Sequence, residues 1–284
     1  MSTLYTFPGG FCVLMALYGK DKPTLFKRAL ASVFANTLLP DQCIVVIDGP
    51  LPAELENLVG QLKVDYPLIE FIVLPHNVGL AKALNVGLKM VNYPWVVRAD
   101  SDDVNLPIRF EVLAKTLDQQ PDLKLFGSAI LEIDENEKPL TMREVPCNEK
   151  DIRQFAKTRN PFNHMAVAYS LEAVLACGSY PSIFLKEDYG LWCRFLEKQF
   201  PVANIKEVLV HASAGIGMFR RRGGVGYAKS EWQIQKVLVE SGLKGRVRAV
   251  LDGAIRAIFF LIPSSVRGFL YVRLLRKPAA KESV

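Results

Sequence analysis

The sequence predicts an α/β fold with a mostly parallel sheet and helices on both faces. Three observations carry that expectation. The 284-residue chain is 50% hydrophobic and 23% charged, so it has the apolar surface for a packed core and too few charges for disorder. Short β-branched runs alternate with stretches whose apolar residues recur at three and four, the pattern of strand and helix units. Two of the runs end abruptly in acids, Asp48 and the cluster Asp100, Asp102 and Asp103, and in open parallel sheets ligands bind beyond the carboxyl ends of strands.

Taken in order, residues 11–17 form an apolar strand, and 18–23 a loop. A helix follows, with Leu25, Phe26, Ala29, Leu30 and Val33 on one side. The run 43–47 is apolar throughout, as in a strand buried on both faces, and Asp48-Gly49-Pro50 closes it. A helix over about 54–63 leads to a strand at 69–74. After the turn at His76-Asn77, a helix over about 80–89 precedes a strand at 95–99. Pro107 marks another helix start, an apolar strand-like run follows His164, and 187–198 reads as a helix.

Composition excludes several classes of protein. The five cysteines, Cys12, Cys43, Cys147, Cys177 and Cys193, are odd in number and form no C-x-x-C pair, which argues against a disulfide framework or a zinc site and for a reducing cytosol. The first ten residues lack a basic start and apolar stretch, so a secretory signal is not expected, and no membrane span is expected either. Formal charge is +6, but residues 244–281 hold nine Lys/Arg and only Asp252, which leaves the rest of the chain at −2. A near-neutral body with a basic tail points to an anionic surface at that end.

Three carboxylates within the four residues Asp100-Ser101-Asp102-Asp103 repel one another, so a counter-ion is expected. Mg²⁺ or Mn²⁺ suits two such carboxylates and takes its remaining oxygens from water and phosphates. The other reading is a solvated turn in which Asp102 or Asp103 caps the helix near Pro107. A calcium loop is excluded, because its fifth position would be Val104 and its obligatory glycine Asn105.

With these motifs in place, the chain resembles the family-2 inverting nucleotide-sugar glycosyltransferases of GT-A fold, over about residues 10–240. The likeness rests on Val46-Ile47-Asp48-Gly49-Pro50, on Asn77-Val78-Gly79-Leu80 with Lys82, Asn85 and Gly87, on Asp100-Ser101-Asp102, and on Glu187-Asp188-Tyr189 before Trp192. The stretches 98–109 and 160–167 look most like the bacterial exopolysaccharide and O-antigen branch, amylovoran-type transferases included. Two positions depart from the family: Leu84 stands where many members have arginine, and Pro50 replaces a frequent serine.

The resemblance implies a Rossmann-like GT-A domain at 1–243, with a nucleotide-sugar half over about 10–110 and an acceptor half over about 111–243, followed by a basic amphipathic tail at 244–284. Asp48, Asn77, Gly79, Lys82, Asp100, Ser101 and Asp102 would bind the donor, with Asp102 and Asp100 holding Mn²⁺ or Mg²⁺ on its diphosphate. Asp188 would be the base, its helix turning it toward Leu191, Trp192 and Phe195, where desolvation raises a carboxyl pKa. Glu187 would orient Asp188 or the acceptor. His164 would lie on the acceptor side, and Arg220, Arg221 and Arg222 would meet a diphosphate or form a solvated basic loop.

The implied reaction moves a hexose or N-acetylhexosamine, from a UDP-sugar by preference, to a polyprenyl-diphosphate-linked saccharide on the cytoplasmic face of the bacterial membrane. The Q-x-x-R-W motif of the processive branch is missing, which favours single-sugar addition. From Arg246 onward Val247, Val250, Leu251, Ala254, Ile255 and Ile258 recur at three and four, and a second amphipathic segment follows Pro263. Such a tail lies on a membrane surface or packs as a terminal helix pair. No nucleic-acid partner is expected, since the tail lacks a strand platform with paired aromatics. The alternatives are a sugar-1-phosphate nucleotidyltransferase, whose G-x-G-x-R loop this chain lacks, and a non-catalytic membrane or nucleic-acid binding protein.

Overall fold

The computed structural model describes residues 5–214 and 224–261. Its first half is built from βα units: β1 (Phe11–Leu17), α1 (Pro23–Phe34), β2 (Gln42–Ile47), α2 (Ala53–Asp65), β3 (Ile69–Val73), α3 (Leu80–Leu88) and β4 (Trp95–Arg98). The short β5 (Val104–Asn105) and α4 (Arg109–Gln119) lead to a hairpin of β6 (Leu125–Ile133) and β7 (Pro139–Arg143). Then come α5 (Glu149–Phe155), a single 3-10 turn (His164–Ala166), β8 (Ala168–Ser170), α6 (Leu171–Ala176), α7 (Glu187–Glu197), β9 (Val202–Ser213), α8 (Gly224–Glu240) and α9 (Arg246–Leu261).

The strands form one sheet in the order β3-β2-β1-β4-β8-β6-β9-β5, with β7 beside β6. Its β3-β2-β1-β4 half is parallel throughout. Order reverses between β1 and β4, the position at which open α/β sheets carry a ligand crevice beyond the carboxyl ends of their strands. The second half is mixed: β8 runs antiparallel to β4 and β6, β9 runs parallel to β6, and β5 closes the edge antiparallel to β9. The expected α/β class therefore holds, with parallel pairing concentrated where helices alternate with strands.

Period-two alternation splits the central strands between two cores. Phe11, Val13, Met15 and Leu17 join Val45 and Val97 under α1, α2 and α4. Cys12, Leu14, Ile44, Val46 and Val96 pack on the other face against α3, α6 and α7. Gly87 lets α3 approach this closely, for a Cβ there would lie 2.5 Å from a Leu14 methyl and 2.9 Å from a Val46 methyl.

Two expectations change. Asp102 and Asp103 do not cap the helix after Pro107, because β5 intervenes and Ile108 stands at the head of α4. The terminal helices pack in a way periodicity did not show: α8 joins α7 through Ile234 and Leu238 against Tyr189 and Cys193, while α9 meets α8 with its small residues. Among the described residues no helix is long and apolar enough to cross a membrane. The segment after Pro263 lies outside the described residues.

Candidate active site

Asp48 caps the carboxyl end of β2 and is buried. Its two carboxylate oxygens accept the backbone amides of Val78 at 2.7 Å and Gly79 at 3.0 Å, and Asn77 Nδ2 donates to its carbonyl at 3.2 Å. Gly49, at φ +93°, is forced by this latch, because a Cβ there would sit 2.6 Å from the Asn77 nitrogen. Gly79, also at positive φ, then starts α3, and exposed Lys82 stands on its first turn with no ion pair among the described residues. The β2 end and the α3 start are thus one rigid rim.

The next strand of the crevice ends in the acidic cluster. Arg98, the last residue of β4, is 1% exposed; its guanidinium donates to the Leu14 carbonyl at 3.1 Å, to the Ala99 carbonyl and to the Asp100 carboxylate. Arg109, fully buried, donates to the Arg98 carbonyl at 2.8 Å and to Asn105 Oδ1. Burial pushes Arg109 down to about 9, so it stays cationic near neutrality. The Arg98 and Arg109 side chains thus supply some of the counter-charge that the carboxylates demand. Ser101 donates to Asp21 at 2.9 Å, tying the acidic loop to the loop after β1. Asp103 is buried: one oxygen accepts the Ser213 amide at 2.8 Å, the other has no hydrogen-bond partner. Burial, then Asp100 and Asp102, hold its carboxyl well above the ordinary carboxylate range, against the pull of Ser213 and Arg98.

Asp100 and Asp102, both half-buried, offer hard oxygen ligands suited to Mg²⁺ or Mn²⁺. Among the described residues no group of three or more His, Cys, Asp or Glu is placed to hold a metal. The donor set therefore fits only a cation that takes its other oxygens from a diphosphate and water, with Asp100 already sharing one oxygen with Arg98.

The far segment of the chain closes the site. Asp188, half-buried in the first turn of α7, accepts Asn160 Nδ2 at 2.5 Å and its neighbour's amide, Tyr189 N, at 2.7 Å. The more deeply buried member of the pair is Glu187. Burial and then Asp188 push the Glu187 carboxyl up to about 7, with Asp100 adding to the rise and Arg98 opposing it. His164 Nε2 meets Tyr180 Oη at 3.0 Å, and Tyr180 Oη meets Tyr169 Oη at 3.1 Å. Burial, then Arg98, lower His164 to about 4, although Asp188 and Asp100 pull the other way, so its imidazole is neutral near pH 7.

The backbone links the two segments: Arg98 N donates to the Val167 carbonyl at 2.9 Å beside the 3-10 turn of His164, and Asn160, just before that turn, holds Asp188. Asp100 and Arg98 act on both Glu187 and His164, and Asp188 acts on His164. Arg220, Arg221 and Arg222 lie outside the described residues. Sequence reasoning passed over Arg98, Arg109, Tyr169 and Tyr180 as site residues. Arg98 was findable, since an arginine closing an apolar strand run has to be neutralised or hydrated.

The pattern describing glycosyl transferase family 2 matches residues 12–188. The chain is 38% identical over 261 residues to the amylovoran biosynthesis glycosyltransferase AmsE of Erwinia amylovora, covering 92% of this chain and 97% of that protein. It is 34% identical over 269 residues to the UDP-Gal:alpha-D-GlcNAc-diphosphoundecaprenol beta-1,3-galactosyltransferase of Escherichia coli, covering 94% and 97%. Among solved structures, S. aureus TarS 1–349 in complex with UDP-GlcNAc superposes with a TM-score of 0.67 at 15% identity, covering 94% of this chain and 76% of that one, which speaks to the fold.

Proposed function

The chain belongs to glycosyl transferase family 2, and from that premise we propose that it transfers a hexose or N-acetylhexosamine from a UDP-sugar to a saccharide carried on polyprenyl diphosphate, with inversion, in exopolysaccharide or O-antigen synthesis. Membership sets aside the nucleotidyltransferase and the non-catalytic binding protein. The observation that supports the reading is the joining of the β4 end to the segment after His164, Arg98 N donating to the Val167 carbonyl at 2.9 Å, while Asn160 of the same segment holds Asp188 at 2.5 Å. A GlcNAc-diphosphoundecaprenol acceptor and a UDP-Gal donor appear in the name of the E. coli relative, which supports the choice of substrates.

In this reading the Asp48, Asn77 and Gly79 rim receives the nucleoside, and Lys82 neutralises a phosphate. Asp100, Ser101 and Asp102 face the diphosphate, where Asp102 and Asp100 would hold Mn²⁺ or Mg²⁺. Such a cation supplies charge neutralisation for the leaving group. The acceptor oxygen attacks the anomeric carbon, its proton passes to the Asp188 carboxylate, and the bond from that carbon to the diphosphate oxygen breaks. A single displacement inverts the centre. Asn160 holds one oxygen of Asp188, leaving the carboxylate oriented as base. Neutral His164 offers the acceptor hydroxyl a hydrogen bond without competing charge, Glu187 orients Asp188, and Arg220, Arg221 and Arg222 serve the diphosphate. Residues 1–243 form the catalytic unit and 244–284 the arm that brings it to the cytoplasmic face of the membrane.

The test is nucleotide release from a panel of nucleotide sugars, with and without Mn²⁺, in the presence of acceptor. Asp188→Asn is expected to lower kcat by about 10²-fold or more while donor binding persists. Asp100→Ala/Asp102→Ala is expected to abolish the metal dependence of UDP binding. Wild-type turnover in the first variant would remove Asp188 as base, and unchanged metal dependence in the second would make the acidic cluster structural.

A further inference from the structure

Helix α9 presents its faces in an order unusual for a terminal packed helix. Its inward side is made of small residues: Ala249 and Ala257 are buried, and a Cβ on Gly253 would stand 3.0 Å from the Trp232 ring of α8. The large apolar residues face out. Val247 is 78% exposed, Ile255 67% and Ile258 65%, with Val250 and Leu251 more than half exposed between them. A water-facing helix normally places charge there.

We infer that this outward stripe is the surface on which the protein lies against an anionic lipid bilayer, an inference that rests on the reading of a lipid-linked acceptor. Charge complementarity selects that occupant. Exposed Arg246 and Arg248 flank the stripe, and the one acid of the helix, Asp252, is taken by Lys244 at 3.0 Å and Arg248 at 3.0 Å. The 23 residues that follow, 262–284, add five Lys/Arg against a single Glu282. Folding that segment back over the stripe would bring cations onto cations, and a second copy would do the same. Lipid phosphates meet both sets with opposite charge while the acyl boundary takes the apolar side chains.

The same helix is joined to the candidate catalytic acids. Arg256 donates to the Thr158 carbonyl, two residues before the Asn160 that holds Asp188. Arg256 also lies 3.8 Å from Glu231 of α8, which pairs at 2.9 Å with Lys186, the residue before Glu187. A bilayer against α9 would therefore lie near the acceptor side, where a polyprenyl-bound sugar has to arrive.

Full-length protein is sedimented with vesicles of phosphatidylcholine alone and of phosphatidylcholine with about one third phosphatidylglycerol, at low and moderate salt. The wild type is expected to pellet with the anionic vesicles, less as salt rises, and Ile255→Asp/Ile258→Asp to bind them at least about tenfold more weakly. Both positions are exposed, so thermal melts of the two proteins should coincide, and both should release nucleotide equally with a water-soluble acceptor. Equal pelleting of the variant overturns the inference. So does a wild type that is dimeric without vesicles and becomes monomeric on substitution, which would give the stripe to a second copy. A wild type that pellets yet uses no nucleotide sugar supports the docking face and counts against the substrate reading alone.

Discussion

Glu187 and His164 are pushed in opposite directions by the same burial, and each leaves a signature in stability against pH. The folded Glu187 carboxyl sits above its usual value, at about 7, so its stabilising share is complete below about 4.5 and is lost as pH rises through 7. The folded imidazole sits at about 4, so its share is complete above about 6.5 and is lost as pH falls through 4. Glu187→Gln removes the first effect alone. Its melting temperature relative to wild type should be more favourable at pH 8 than at pH 5; a pH-independent difference would show that Glu187 titrates normally. Asn160→Ala should lower kcat with little change in donor binding, measured by separating turnover from UDP affinity, because it frees the Asp188 carboxylate from its orienting donor. These partners were out of reach of the sequence, since Asn160 and Asp188 meet only through the fold, whereas the acids themselves stood out as charges ending apolar runs.

Between elements, two joints bear on the site. The Asp48 latch binds the β2 end to the α3 start, and Gly49→Ala forces a Cβ onto the Asn77 backbone at a left-handed φ. A loss of about 1–3 kcal/mol is expected from urea melts, together with weaker nucleotide binding. The Lys186–Glu231 pair joins α7 to α8 in the interior, with side chains 10% and 1% exposed. Glu231→Gln removes the counter-charge of a buried ammonium, leaving it the Tyr227 hydroxyl at 3.1 Å, and should cost about 3–5 kcal/mol, whereas a loss under about 1 kcal/mol would mean that water already reaches the pair. The strands and helices between β1 and β4 were legible because each is local and periodic. The β6–β7 hairpin, β9 and α8 were not, since their pairing is set by distant partners; the short β5, which displaced the expected cap on α4, exists only because β9 lies beside it.

At the scale of the molecule, the reversal of strand order at β1 and β4 accounts for where the site lies, and the mixed second half supplies its far wall. The motif order alone pointed to the class of reaction; which groups neutralise one another inside the crevice required three dimensions. One contact also bears on biosynthesis. Ser213, at the end of β9, donates its amide to Asp103 and its hydroxyl to the Asp102 carbonyl, 110 and 111 residues back along the chain. As the polypeptide leaves the ribosome, β1 to β4 can pair with one another early, but the loop bearing the acids waits for a strand made more than a hundred residues later. A nascent chain arrested before β9 would therefore hold the acidic loop without its Ser213 anchor.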